Sequence, residues 1–190
     1  MAVRYDFVNL IINGKQMGIY AIEEHFSKEM IESNQRREGV IVNWDDLLLW
    51  KKFPNDKASN IEWNSIFRSA KAETKNSKRV NNNPMLKRQA ETATNLLRSI
   101  QESNMSASKI FDSEKTGKFL AMSRIWNTER GLLFADINFY FNPVTCLLEP
   151  IGFDGNSLDE DKAPYCYFSH GDIKDNWVNF ALTDHRISSS

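Results

Sequence analysis

Two short runs of oxygen-bearing side chains are where this sequence offers chemistry. Asp154, Gly155 and Asn156 follow the apolar run Leu147-Leu148-Glu149-Pro150-Ile151-Gly152-Phe153, so an acid and an amide emerge where a predicted strand gives way to a flexible turn. Hard cations such as Mg²⁺ take oxygen ligands at about 2.1 Å, commonly one or two carboxylates together with substrate phosphates. Asp154 and Asn156 offer two such oxygens, although Asp-Gly-Asn is also a good turn in its own right. Asp136 and Asn138 form a second pair, just ahead of Phe139-Tyr140-Phe141. Strand alternation sets both on one face, and a hairpin closing around Pro143 brings them towards the end occupied by Asp154. The same pattern also fits the polar face of an edge strand. Glu23-Glu24, after the first predicted hairpin, suits a lysine or arginine partner, and Glu24 equally suits capping of the helix that follows.

Other chemistries find no support. The sequence has no Gly-x-Gly-x-x-Gly, P-loop or Gly-x-Ser-x-Gly motif. His25, His170 and His185 are scattered, and Cys146 and Cys166 stand alone, which argues against a zinc site and leaves both cysteines as small buried or half-buried hydrophobes. The 190 residues, 41% hydrophobic and 12% aromatic, suffice for one globular domain with a real core. The longest apolar stretches, Leu47 to Trp50 and Leu132 to Ala135, fall far short of the roughly 18 residues of a membrane-spanning helix. No export signal precedes the first predicted strand, and that abrupt start suggests a chain incomplete at its N-terminus.

Charge is balanced overall, 24 basic against 25 acidic side chains, but unevenly placed. Residues 51 to 100 carry eleven bases and four acids, whereas residues 151 to 190 carry seven acids and three bases. The basic stretch reads as a solvated face or as a surface for phosphate or an acidic partner. Nucleic acid is not expected, because no aromatic residue is interleaved with the bases from Ala70 to Ser99.

The elements that must position these groups follow from pattern. Val3 to Ile12 and Gln16 to Ile22 flank Asn13-Gly14, a dipeptide suited to a two-residue hairpin turn. Phe26 to Arg36 reads as a helix capped by Ser27 and closed by Gly39, and Val40 to Trp44 as a short strand. Asp45 to Asn60 reads as a loop, Asn60 to Lys75 as a helix, and Thr74 to Asn83 as an exposed linker, with 51–83 forming a basic insert. Leu86, Ala90, Ala93, Leu97 and Ile100 line one face of a helix from Pro84 to Ser103. Asp112 caps another helix running to about Trp126. Asp136 to Asn142 and Cys146 to Phe153 form a second hairpin, and the order of elements predicts an α+β fold over a single domain, 1–190.

Two separated blocks resemble the spore-coat protein H (CotH) kinase family. The first is Tyr5-Asp6-Phe7-Val8-Asn9, Ile12-Asn13-Gly14-Lys15, Gly18-Ile19-Tyr20-Ala21-Ile22-Glu23-Glu24 and Arg37-Glu38-Gly39. The second is Asn138-Phe139-Tyr140-Phe141-Asn142-Pro143-Val144-Thr145 with Leu148-Glu149-Pro150-Ile151-Gly152-Phe153-Asp154-Gly155, similar to that family's metal-site hairpin. The resemblance implies a divergent protein-kinase-like fold and an atypical kinase moving the γ-phosphate of ATP to Ser or Thr of protein substrates. It also implies a bacterial spore-coat or cell-envelope setting. By position it implies Asp154, Asp136 and Asn138 as Mg²⁺ ligands, and Glu24, Arg37 and Asn156 as nucleotide-side groups. In the stretch expected to serve the catalytic loop, Asn127-Thr128-Glu129-Arg130-Gly131, the available acid is Glu129. Where family members tend to have a lysine in the strand after Arg-x-Gly, this chain has Asn43. A second reading therefore stays open, a catalytically inactive or truncated relative that binds a partner through its basic segment. Metal-assisted hydrolysis at the same cluster is a third.

Overall fold

The computed structural model describes residues 1–52, 63–126, 128–153, 155 and 177–189. Its first element is the hairpin of β1 (Tyr5–Ile12) and β2 (Lys15–Glu23). Asn13 and Gly14 both take positive φ, 51° and 78°, the backbone a tight two-residue turn requires. Among the described residues the ribbon pairs only with itself, and it bares apolar side chains from both strands, with Phe7 71% and Ile19 74% exposed.

A four-stranded antiparallel sheet, in the order β4-β3-β5-β6, forms the centre. Its strands are β3 (Ile41–Trp44), β4 (Ala72–Thr74), β5 (Asn138–Asn142) and β6 (Leu147–Ile151). Alternation divides its side chains between two clusters. Val42, Trp44, Phe139, Phe141 and Leu148 face the larger core, where they meet Leu86, Ala93, Leu97 and Ile100 of α5 (Pro84–Glu102). Ile41, Tyr140 and Ile151 face a smaller cluster with Phe26 and with Met30 and Ile31 of α1 (Lys28–Ser33). The outer edge of β6 is not bare: Leu148 exchanges backbone hydrogen bonds with Ile110 and Asp112, and Gly152 with Met1 and Val3.

The remaining elements are α2 (Leu47–Lys52), α3 (Trp63–Ser69), α4 (Ser77–Asn81), α6 (Ser113–Ile125), α7 (Trp177–Leu182) and α8 (His185–Ser188). Two helix starts follow their sequence signals. The Asn83 carboxamide accepts from Met85 and Leu86, with Pro84 behind it, and the Asp112 carboxylate accepts from Lys115 at 3.1 Å.

Several expectations need correction. The first helix stops at Ser33, because Gln35 takes the left-handed conformation, φ 56°, and ends it before Gly39. Gly39 serves close packing instead: a Cβ there would lie 2.5 Å from the Phe141 carbonyl oxygen and 2.7 Å from the Tyr140 ring. Part of the expected 45–60 loop is α2, and the expected 60–75 helix is only α3, followed by β4. The expected exposed linker carries α4, with Val80 buried. β5 begins at Asn138 rather than Asp136 and lies between β3 and β6, which overturns the edge-strand alternative. Cys146 is exposed in a tight turn with φ 57°, not buried, and Cys166 lies outside the described residues.

Candidate functional site

Asp136 and Asn138 meet at the start of β5, but not by strand alternation. The backbone N–H groups of Asp136 and Ile137 both donate to the Leu133 carbonyl, at 3.0 and 2.9 Å, so a turn delivers Asp136 to the mouth of the strand. The Asn138 side-chain amide donates to the Asp136 carbonyl at 2.8 Å and ties turn to strand. Its Oδ1 is then buried without a hydrogen-bond partner among the described residues, on a side chain 4% exposed. An acceptor left unmatched in this way costs about 1–3 kcal/mol, and such groups call for an ion, a water or a ligand. The half-buried Asp136 carboxylate has the Arg130 guanidinium 3.9 Å away.

A cavity of about 320 Å³ opens onto these groups, lined by Glu23, Glu24, His25, Phe26, Lys75, Ala135, Asp136, Asn138 and Phe153. Four chain segments contribute to it: the end of β2, the residue after β4, the turn into β5 and the residue preceding Asp154. Glu24 is already engaged. Arg4 binds its carboxylate through Nε at 3.1 Å and a terminal nitrogen at 2.6 Å, and also donates its backbone N–H. These hydrogen bonds hold the Glu24 carboxyl below the usual carboxylate range. Glu24 is thus partnered by a base, the first of the two roles its position suggested. Helix capping is done by Ser27, which accepts from Met30.

The structure accordingly brings together Glu24, Asp136 and Asn138. Arg37 is exposed and outside this lining, its carbonyl accepting from the Tyr140 hydroxyl at 2.8 Å. Glu129 opens a single-turn helix, Glu129–Leu132. Asp154 and Asn156 lie outside the described residues. Lys75, His25 and Phe26 are lining residues that sequence patterns missed. The hairpin that ends in Glu23-Glu24 was a signal for His25 and Phe26, but none existed for Lys75.

Asn43 is fully interior. Its amide donates to the Trp44 carbonyl at 2.8 Å, and its Oδ1 is also unpartnered among the described residues. Continued by one residue, the pairing of Ile41 with Tyr140 and Val42 with Phe139 sets Asn43 against Asn138. Two amide oxygens without partners therefore lie on one face of adjacent strands. On β6, Glu149 is fully buried between Arg36 and Lys115, each at 3.2 Å, with Asn142 donating at 2.8 Å.

The donors fit a hard cation. A carboxylate and an unpaired amide oxygen share one cavity, and both are oxygen ligands of the kind Mg²⁺ takes. Among the described residues no group of three His, Cys, Asp or Glu is clustered as a metal cage, so substrate oxygens or residues beyond those described would have to complete such a site.

The family described as CotH kinase protein matches residues 1–126. The chain belongs to the CotH family. The match takes in the ribbon, α1, β3, β4 and the helices through α6; membership suggests a kinase-like domain, and the α+β fold is compatible with it. The stretch with Asp136 and Asn138 lies beyond the matched residues, so their roles rest on the cavity and on the sequence resemblance. No curated protein matches the chain. No helix among the described residues is long and apolar enough to cross a membrane.

Proposed function

We propose that this CotH domain is an atypical protein kinase that transfers the γ-phosphate of ATP to Ser or Thr hydroxyls of a protein substrate, with Mg²⁺ as the metal. The observation that carries the reading is the Asn138 oxygen. It is buried, unpartnered and set beside the Asp136 carboxylate in a cavity that also receives Lys75 and the strand leading to Asp154. On this reading β5 and β6 form the metal-site hairpin. Asp136 and Asn138 hold the metal together with Asp154, while Arg37 and Asn156 belong to the nucleotide side. Bound Mg²⁺ would supply neutralisation of the phosphate oxygens.

Phosphoryl transfer asks a protein mainly for positioning and charge compensation. The acceptor hydroxyl oxygen bonds to the γ-phosphorus as the bond to the β,γ-bridging oxygen breaks, and ADP carries away that electron pair. The hydroxyl proton needs an acceptor, and Glu129 is the acid in the stretch expected to supply it. Glu24, held by Arg4, fixes the end of β2 against the cavity.

Radiolabel transfer from γ-labelled ATP to casein or to the chain itself tests this. The full chain with Mg²⁺ should label the acceptor, and Asp136→Ala and Asp154→Ala should each lower the rate by about 10²-fold or more, the scale of losing one electrostatic contact to the transition state. A correctly folded chain that binds Mg²⁺-ATP and transfers nothing would instead favour the binding module that docks a partner through residues 51 to 98.

A further inference from the structure

Asn43 takes the strand position where a phosphate-neutralising lysine is expected, and its amide is spent on the Trp44 carbonyl inside the sheet. The missing charge is found one strand outwards. β4 pairs Ala72, Glu73 and Thr74 with Trp44, Asn43 and Val42, and the Lys75 N–H extends that ladder by donating to the Ile41 carbonyl at 2.9 Å. Alternation then sets the Lys75 side chain on the sheet face that carries Ile41 and Asn43. We propose that Lys75 is the residue that contacts the β- or γ-phosphate of the nucleotide in this cavity, an assignment that rests on the kinase reading above.

Three features argue for it. First, Lys75 is the single lysine or arginine lining the cavity among the described residues, and it shares that lining with Asp136 and Asn138, proposed to hold the metal. A metal held there would neutralise phosphate oxygens of the nucleotide, so a cation sharing its cavity would act on the same end of that ligand. Second, other bases nearby are committed: Arg4 to Glu24, Arg36 and Lys115 to Glu149, and Arg79 to Glu38. Lys75 forms no ion pair with any described residue. Third, its backbone is pinned on both sides. Asn76 follows in the left-handed conformation, φ 55° and ψ 44°, and its carboxamide donates to the Phe26 carbonyl at 2.6 Å. That clasp joins the end of β4 to the segment entering α1 and fixes where the lysine emerges.

Calorimetric titration of the full chain with Mg²⁺-ATP and with AMP, for wild type, Lys75→Met and Lys75→Arg, decides the matter. Methionine keeps the apolar stem and removes only the charge. Loss of one charge-assisted phosphate contact should weaken ATP binding about 10- to 100-fold. AMP affinity should change less than about twofold, and arginine should restore most of the ATP affinity. Equal ATP affinity in wild type and Lys75→Met would overturn the assignment while leaving the nucleotide site standing. A parallel fall for ATP and AMP would also overturn it, because a structural role is blind to phosphate number. A wild-type chain that binds neither nucleotide would overturn both the assignment and the kinase reading.

Discussion

Buried polar side chains on the central sheet differ in what surrounds them. Glu149 is charge-compensated: Arg36 and Lys115 each lie 3.2 Å from its carboxylate and Asn142 donates to Oε1, while its Oε2 makes no hydrogen bond among the described residues. Asn138 and Asn43 each leave an oxygen without a partner among the described residues, and of the two Asn138 lines the cavity. The difference lies in surroundings: Glu149 sits between two cations, whereas Asn138 lines the cavity. Tyr140 shows what the Glu149 site does to a neighbour. Burial first, and then the Glu149 charge, push its phenol up to about 12. An acid whose folded-state pKa is raised contributes stability that is complete below its unfolded value, roughly 10, and is lost as pH rises from there through the folded value. Tyr140 should therefore stay protonated in the native chain at pH 11, and the wild type should lose more stability between pH 9 and about 12 than Tyr140→Phe does. Phenolate absorbance in the two proteins, followed alongside unfolding, checks this. A Tyr140 that titrates near pH 10 in the folded chain would contradict it.

Elements were readable where their determinants are local. Asn13-Gly14 sets its own turn, Asp112 and Asn83 reach only three residues ahead, and the α5 face repeats every three or four positions. β4 was unreadable because three residues carry no period, and its partner β3 lies about thirty positions earlier. The helix after Ser27 is shorter than its pattern predicts because Gln35, with no glycine-like signature, takes the left-handed turn that ends it. The pattern places Asp136 in a strand because nothing local reveals that the Leu133 carbonyl captures two successive N–H groups. The same distinction governs the site. Asp136, Asn138 and Glu24 stood out by type and neighbours, whereas Lys75 acquires its place only when β4 pairs with β3. Gly39 is the element-scale test of that packing. Its lack of a side chain lets the segment before β3 lie against β5, and Gly39→Ala should cost about 1–3 kcal/mol through overpacking. Chemical denaturation would measure it, and a loss below about 0.5 kcal/mol would mean that the contact relaxes without strain.

At the scale of the molecule, the sheet separates two tasks. One face is buried against α5 and the aromatic cluster of Trp44, Phe139 and Trp177, whose rings meet edge to face. The other face holds α1 against Ile41 and Tyr140 and, at the end where β5 begins, carries the polar cavity. The ribbon of β1 and β2 ends on that cavity through Glu23 and Glu24, so a long exposed hairpin, a short outer strand and a central strand all contribute to one site. A rigid core thus holds a carboxylate, an unpaired amide and a lysine that come from segments about sixty positions apart.

The claim on which this account stands is that the cavity takes a metal-bound nucleotide through Asp136 and Asn138. Isothermal titration of ATP into the full chain, with Mg²⁺ and again with chelator, in wild type and Asp136→Ala, tests it most directly. The account predicts saturable binding that depends on Mg²⁺ and weakens at least about tenfold in the variant, the loss of more than about 1.4 kcal/mol. ATP binding indifferent to Mg²⁺, or unchanged by Asp136→Ala, would contradict it.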